Sequence, residues 1–360
     1  MSCVLITCAL LACSQHTDTT VVASRLAEAS GILFDSDTLF IVSDDVAGSY
    51  FSLPAADIKS GFIPIDSDRL TRITIPGAEL FSDLESIDRL ADGRIALLSE
   101  DLHALGAVVQ KAGSPALEIV AQFDQTLTEL GNRGLEGVAV RPLPGGASLI
   151  AVSWEGGYPE RQSLPAQLRE TVGNSPLNPI VVIDTIPPNG SAGFVDKPAR
   201  SLALTASDDG VPPPLGQRFR VADLVWAAWS DSAGTSDGLI VLLSSSNSPE
   251  PASGQKRRFQ YKWLQRYDLD GNPVGNPLDV SALASAQWRD FSAQSLTTLT
   301  EPLRSRAEQF GRKADAAGWE NVNWEGLSWY QRGESLVLIY DAGADDPLFA
   351  LVVAIPQDWK

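Results

Sequence analysis

The sequence predicts an all-β protein, a β-propeller of five blades with short helical insertions. The main observation is a recurring hairpin unit: a residue with a side-chain oxygen, an apolar run, a turn and a second apolar run. Five copies lie in Ala29–Asp44, Leu84–Glu100, Leu135–Glu155, Ala222–Leu243 and Trp324–Tyr340. The 29 Gly, 23 Pro and 9 Trp residues among 360 are typical of a turn-rich β protein. A sixth blade within the longer intervals between copies is the alternative.

Each copy opens a set of predicted strands. These are 31–34, 39–43, 50–53 and 70–75; 86–90, 95–99, 107–111 and 117–123; 138–141, 149–153, 180–184 and 200–204; 224–228, 239–244, 260–267 and 277–280; and 327–330, 335–340 and 348–355. The last unit has one strand fewer than the others. A strand predicted in Thr19–Leu26 has no hairpin partner. We therefore expect it to complete the fifth sheet and close the ring, which removes open sheet edges.

Two insertions lengthen the later units. Gly156–Pro179 is predicted to be a loop with a short helix at 164–172. Ser281–Gly318 contains a helical pattern over Glu301–Ala317, in which Leu303, Ala307, Phe310 and Ala314 share one face. This helix is expected either to pack against a blade or to form a lid over the site.

The first residues predict export. All three cysteines, Cys3, Cys8 and Cys13, lie in residues 1–13. Leu10–Cys13 resembles the lipobox of bacterial lipoprotein signal peptides, with Cys13 as the lipidated residue. We expect a signal peptide at 1–13, a tether at 14–20 and a single propeller domain at 21–360. The protein would then be a periplasmic or outer-membrane lipoprotein that contacts the membrane only through its lipid anchor. The alternative is a disordered N-terminus.

The net charge limits the partners. A formal charge of −18 and an isoelectric point of about 4.5 argue against binding to nucleic acid, because phosphate backbones need a positive surface. The same charge favours cations, or anions that are bridged by cations. We expect a monomer that takes a small anionic or ester substrate.

The candidate site is a ring of side chains at one end of the predicted channel. The first strand of each unit should line the channel and the second should return antiparallel, so the openers and the second-strand ends should converge on one mouth. The openers are Ser30, Glu85, Glu136, Asp223 and Glu325, and the second-strand ends include Asp44, Asp45, Glu100, Asp101, Glu155, Asn247 and Asp341. Facing carboxylates repel one another unless their pKa values rise, arginines pair with them or a cation binds. A site rich in oxygen and poor in His and Cys favours Ca²⁺ over Zn²⁺. The alternative is that each acid only bonds backbone N–H groups of the next blade.

Two further residues are candidates. His103 follows the predicted mouth and is either a general base or a solvated loop residue. Arg133 lies three residues before Glu136 and would pair with a channel carboxylate or bind an anionic substrate. The chain has no HExxH motif or phosphate-binding glycine loop, so nucleotide chemistry is not indicated.

Several segments resemble one known family. Asn132–Gly137 (NRGLEG) is similar to the N-R-G-x-E-G signature of the esterase-like phytase propellers, which are related to the SdiA-regulated type. Supporting segments are Ala29–Ile32 with Ile41–Asp45, Asp83–Ile87 with Ser99–Glu100, and Trp324–Leu327. The resemblance implies an exported propeller that hydrolyses phosphate or carboxylic esters, with calcium, and it makes Glu85, Glu136 and Glu325 the channel acids.

Together these inferences assign each candidate residue a role. Glu136, Glu85 and His103 are the catalytic candidates; Arg133, Asp44, Glu100 and Glu155 are the substrate-binding candidates; and Glu85, Glu136, Asp223, Glu325 and Asp341 are the metal-binding candidates. A propeller at the cell surface that binds a partner without catalysis is the alternative function.

Overall fold

The structure is a computed structural model. It describes residues 26, 28–54, 61–123, 134–154, 179–195, 198–205, 219–231, 234–247, 259–341 and 348–359. The strands in these ranges are β1 Ala29–Asp35, β2 Thr38–Ser43, β3 Ser49–Pro54, β4 Gly61–Ile65, β5 Thr71–Thr74, β6 Leu84–Arg89, β7 Ile95–Ser99, β8 Ala104–Lys111, β9 Ser114–Phe123, β10 Leu135–Pro142, β11 Ser148–Trp154, β12 Ile180–Ile186, β13 Gly193–Val195, β14 Arg200–Ala203, β15 Phe219–Asp231, β16 Gly234–Asn247, β17 Phe259–Asp268, β18 Pro273–Asp279, β19 Trp324–Gln331, β20 Ser335–Tyr340 and β21 Leu348–Ala354. The helices are α1 Val280–Gln294 and α2 Glu301–Ala317.

These strands form a five-bladed β-propeller, as the sequence predicts. In the described ranges there are five sheets, with strand orders β1-β2-β3-β5, β6-β7-β8-β9-β13, β10-β11-β12-β14, β15-β16-β17-β18 and β19-β20-β21-β4. The first strand of each sheet contacts the first strand of the two neighbouring sheets, so β1, β6, β10, β15 and β19 form a closed ring. All five begin at the same end of the channel that they surround.

The blades are held together by apolar faces. Strands alternate their side chains between the two faces of a sheet, and in a propeller both faces of a blade are covered by its neighbours. Leu98 and Val120 of the second sheet pack with Val138 and Val152 of the third. Equivalent clusters join the first sheet to the second and the third to the fourth. This packing explains why most strands are apolar runs.

The ring is closed by a strand that the sequence analysis did not predict. β4 pairs antiparallel with β21 and is the outermost strand of the fifth sheet. In the sequence, however, β4 comes between β3 and β5, which both belong to the first sheet. Gly61–Ile65 therefore occupies the place that we expected for Thr19–Leu26. Of that segment the structure describes only Leu26, which is buried outside any strand. A second strand also pairs outside the sheet of its sequence neighbours. β13, which lies in the sequence between β12 and β14, pairs with β9 of the preceding sheet.

The helical insertion packs on the fifth blade. Helix α2 has the predicted bounds and buries Ala307, Phe310 and Ala314. Helix α1 was not predicted. Its Trp288 contacts Phe62 of β4 with ring centroids 5.5 Å apart. These contacts show that the insertion anchors the closing strand through an aromatic cluster. Among the described residues, no helix is both long and apolar enough to span a membrane.

Candidate functional site

The channel acids lie at the starts of the innermost strands. Glu85 in β6, Glu136 in β10 and Glu325 in β19 each occupy a position where the register with the second strand shifts. Such a bulge leaves one extra residue outside the regular ladder and re-aims its side chain. The same irregularity occurs at Ser30 in β1. The repeated bulge therefore places equivalent side chains of four blades around the channel mouth.

The three glutamates are electrostatically coupled. Burial raises the pKa of Glu85 well above its usual range, and the negative charges of Glu136 and Glu325 raise it further. Asp83 and Glu100 add smaller contributions of the same sign. Glu85, Asp83 and Glu100 each offer one carboxylate oxygen, and these oxygens lie within 4.8 Å of one another. The mouth therefore concentrates negative charge where solvent screening is weak.

The ends of the second strands extend this group. Asn323 donates one hydrogen bond to Glu325 Oε1 at 2.6 Å and another to Asp341 Oδ2 at 2.8 Å. On the adjoining blade, burial raises the pKa of Asp44 to about 7, with the charges of Glu28, Asp45 and Asp341 acting in the same direction. Asp44, Glu100 and Asp341 thus lie at the same mouth as the channel acids.

Lys262 is a site residue that the sequence analysis missed. It lies in β17 and is only 3% exposed. Burial lowers its pKa, whereas the nearby charges of Glu325, Glu136 and Asp341 raise it. Burying an ammonium group without a compensating charge is costly, so a buried Lys262 indicates that negatively charged groups lie close to it. In the sequence, Lys262 stands in the alternating strand FQYKWLQRYD, and a charged residue between apolar neighbours there was the available signal.

Asp223 needs a correction. The bulge of β15 falls between Val221 and Asp223, so Ala222 is the residue equivalent to the channel glutamates. Asp223 lies one position deeper and is 1% exposed. Its Oδ1 accepts hydrogen bonds from Ser86 Oγ at 3.0 Å and Leu224 N at 2.8 Å. Its Oδ2 accepts one from Leu327 N at 2.7 Å. We therefore assign Asp223 a structural part, as the link between blades, and not a metal-ligand role.

The Asp223 network closes the channel below the mouth. Ser86 Oγ also accepts a hydrogen bond from Val138 N at 3.1 Å, so the network joins the innermost strands of four blades. Room for it comes from glycine: a Cβ on Gly137 would lie 2.7 Å from Asp223 Oδ1. Burial raises the pKa of Asp223 well above its usual range, against the effect of its three donors.

The Nδ1 atom of His103 is buried and has no hydrogen-bond partner among the described residues. The residue lies in the turn between β7 and β8 with a positive φ of 48° and is 7% exposed. Burial lowers its pKa and the charge of Asp101 raises it. The general-base role of His103 therefore stays a prediction. The candidates Arg133 and Glu155 lie outside the described residues.

One partly buried acid, Asp88, lies near the far end of the same strand as Glu85. Asp88 accepts hydrogen bonds from Arg89 N and Val140 N, both at 2.6 Å. Burial raises its pKa from 3.8 to about 7, with these bonds and two arginines opposing the shift. A carboxyl whose pKa is higher in the folded state binds more protons there, so ionising it destabilises the fold as pH rises from 3.8 to about 7.

Asp88→Asn should therefore become progressively more stable relative to the wild type as pH rises through this window. We expect the difference in free energy of unfolding to change by about 2–4 kcal/mol between pH 4 and pH 8, from the size of the shift. Urea denaturation at several pH values measures it. Asp37→Asn, in the exposed turn after β1, is the matched control. A difference that stays constant with pH would contradict the assignment.

Comparison with known proteins adds a family match and a set of similar folds. Residues 64–153 match the family model described as SdiA-regulated. This stretch holds Glu85, Glu100 and Glu136 but covers less than half of the chain. The match agrees with the resemblance to propellers related to the SdiA-regulated type. The narrower phytase-like assignment stays a prediction. No curated protein matches this chain.

Several solved structures align with most of this chain at low sequence identity. An endo-arabinase from Bacteroides thetaiotaomicron is 10% identical over 93% of this chain and 96% of that chain, with a TM-score of 0.44. A thermostable family-43 glycoside hydrolase is 9% identical over 93% and 91%, with a TM-score of 0.39. The calcium-binding protein regucalcin from Agrobacterium tumefaciens is 10% identical over 92% of both chains, with a TM-score of 0.37. At this level of similarity they carry no information about the chemistry of this chain.

Proposed function

We propose that the protein is a calcium-dependent hydrolase of phosphate or carboxylic esters, with its site at the acidic mouth of the channel. The observation that carries the proposal is the group of Asp83, Glu85 and Glu100, whose oxygens lie within 4.8 Å of one another at a partly buried position. Carboxylate oxygens at this spacing suit a hard cation such as Ca²⁺. Burial and the neighbouring negative charges raise the pKa of Glu85, and a bound cation would relieve the repulsion among these charges.

The described side chains divide the work in this proposal. Asp83, Glu85 and Glu100 would hold the cation. The chemistry that a bound Ca²⁺ supplies is neutralisation of an anionic ester and polarisation of a water molecule. Glu136, electrostatically coupled to Glu85 and to Lys262, would accept the proton of the attacking water. Lys262 provides a positive charge beside Glu325 and Glu136, which limits the total negative charge that a substrate meets.

The alternative is a propeller that binds calcium and a partner at its mouth without catalysis. It is favoured by His103, because Nδ1 of this one imidazole among the described residues has no hydrogen-bond partner. We also propose that the chain is an exported monomer with a lipid anchor at Cys13. The first 25 residues lie outside those that the structure describes, so export stays a prediction.

An activity panel with and without Ca²⁺ tests the hydrolase. We expect turnover of p-nitrophenyl phosphate, inositol hexakisphosphate or p-nitrophenyl acetate that requires Ca²⁺. Glu136→Gln should lower kcat by about 100-fold or more, the usual effect of removing a general base. Glu79→Gln, at an exposed site, is the control. If no ester is turned over while Ca²⁺ still binds, the non-catalytic alternative is correct.

A further inference from the structure

The end of the channel opposite the acidic mouth holds a cavity. Its volume is about 600 Å³, and it is lined by residues from the far ends of all five innermost strands. This size is within the range of about 300–1,000 Å³ that is usual for small-molecule sites in proteins. The hydrogen-bonded Asp223 and Ser86 lie between this cavity and the mouth, so a ligand here would not reach the channel acids.

The cavity has aromatic walls. Phe34 and Tyr330 are partly exposed and pack together with ring centroids 4.8 Å apart. Trp329 is also partly exposed, and its Nε1 donates a hydrogen bond to Trp226 O at 2.8 Å. Trp226 is buried beneath, with its own Nε1 bonded to Ala139 O at 3.0 Å. The rings are thus held in position before a ligand arrives, which lowers the entropy cost of binding.

Charged groups of both signs lie among these rings. Of the described lining residues, the charged ones are Asp35, Asp88, Arg89 and Arg332. Arg89 forms an ion pair with Asp35 at 2.6 Å. The charge of Arg332 acts on Asp88, whose oxygens accept two backbone N–H groups and retain further acceptor capacity. The two acids and two arginines balance one another, so the cavity does not select for a strongly charged ligand.

We propose that this cavity is a binding site for a neutral sugar ring. Partly exposed aromatic faces pack against the C–H face of a pyranose or furanose ring. Carboxylates accept hydrogen bonds from adjacent hydroxyl groups, and guanidinium groups donate to their oxygens in a fixed fork. An inorganic anion would gain little from the aromatic walls, and a purely apolar ligand would leave the remaining acceptor capacity of Asp88 unused. A polyhydroxylated neutral ring satisfies both kinds of group.

Titration calorimetry on the full chain tests the proposal. The probes are D-glucose, D-galactose, L-arabinose, D-xylose and N-acetylglucosamine, each measured in the presence of EDTA. We expect at least one to bind in the millimolar range or tighter. Arg332→Ala should weaken binding by about tenfold, because the sugar loses a hydrogen bond to a charged donor. Arg332 is exposed, so its removal leaves the fold intact.

Three further measurements decide the outcome. Tyr330→Ala should also weaken the sugar, whereas Arg312→Ala, an exposed arginine on helix α2, should not. Glu136→Gln should leave sugar binding unchanged, which separates this site from the proposed hydrolase. Binding of none of the sugars overturns the proposal. So does sugar binding that is unaffected by both Arg332→Ala and Tyr330→Ala, or a cavity that takes only inorganic phosphate or an aromatic dye.

Discussion

Calcium is expected to raise the melting temperature of this protein, and EDTA to reverse the rise. At a calcium concentration about 100 times the dissociation constant, binding to the folded state alone adds about 2.7 kcal/mol. For a chain of this size that corresponds to a shift of about 3–4 °C. The physical reason is the repulsion among Glu85, Glu136 and Glu325, which a divalent cation at Asp83, Glu85 and Glu100 would offset.

Glu85→Gln makes this test sharper because its effect should change sign. In EDTA the variant should be at least as stable as the wild type, since burial and like charges disfavour the ionised carboxyl. In saturating Ca²⁺ the wild type should be the more stable of the two, because glutamine supplies a weaker ligand. Differential scanning fluorimetry of both proteins, with Glu79→Gln as control and Na⁺ at matched ionic strength, gives the comparison. An unchanged melting temperature with Ca²⁺ would eliminate the cation site.

Asp223→Ala is expected to cause the largest loss of stability of any single substitution considered. The carboxylate accepts hydrogen bonds from Ser86, Leu224 and Leu327, which belong to three different blades. Removing it leaves two backbone N–H groups without an acceptor in the centre of the ring. At about 1–3 kcal/mol for each unsatisfied buried group, the loss should reach about 3–5 kcal/mol. Asp223→Asn should lose less, because one oxygen remains.

Chemical denaturation followed by tryptophan fluorescence measures these losses. The control is Asp237→Ala, which removes a partly exposed ion pair with Arg141 of the neighbouring blade. Such pairs contribute about 0–1 kcal/mol, so the control should remain near the wild type. If Asp223→Ala instead kept full stability and lost calcium binding, the original prediction of Asp223 as a metal ligand would be right after all.

The candidate site shows where the sequence was sufficient and where it was not. Glu85, Glu136 and Glu325 could be placed at one mouth because a residue that opens the first strand of each repeat has the same surroundings in every blade. Asp223 could not be placed correctly, because a bulge shifts the register by one residue and the local pattern of β15 reads the same in either register. Lys262 joins the site from a third strand, which no repeat of openers marks.

The sequence by itself determined the number of blades, most strand positions and the bounds of helix α2. These features depend on local periodicity, because the spacing of apolar residues within a short stretch of sequence is enough to indicate a strand or an amphipathic helix. Only the tertiary structure decided that Gly61–Ile65 closes the ring and that β13 joins the second sheet. The unpaired backbone groups of an edge strand can hydrogen-bond to any extended segment that reaches them. Which segment reaches them depends on packing between residues that are far apart in the chain.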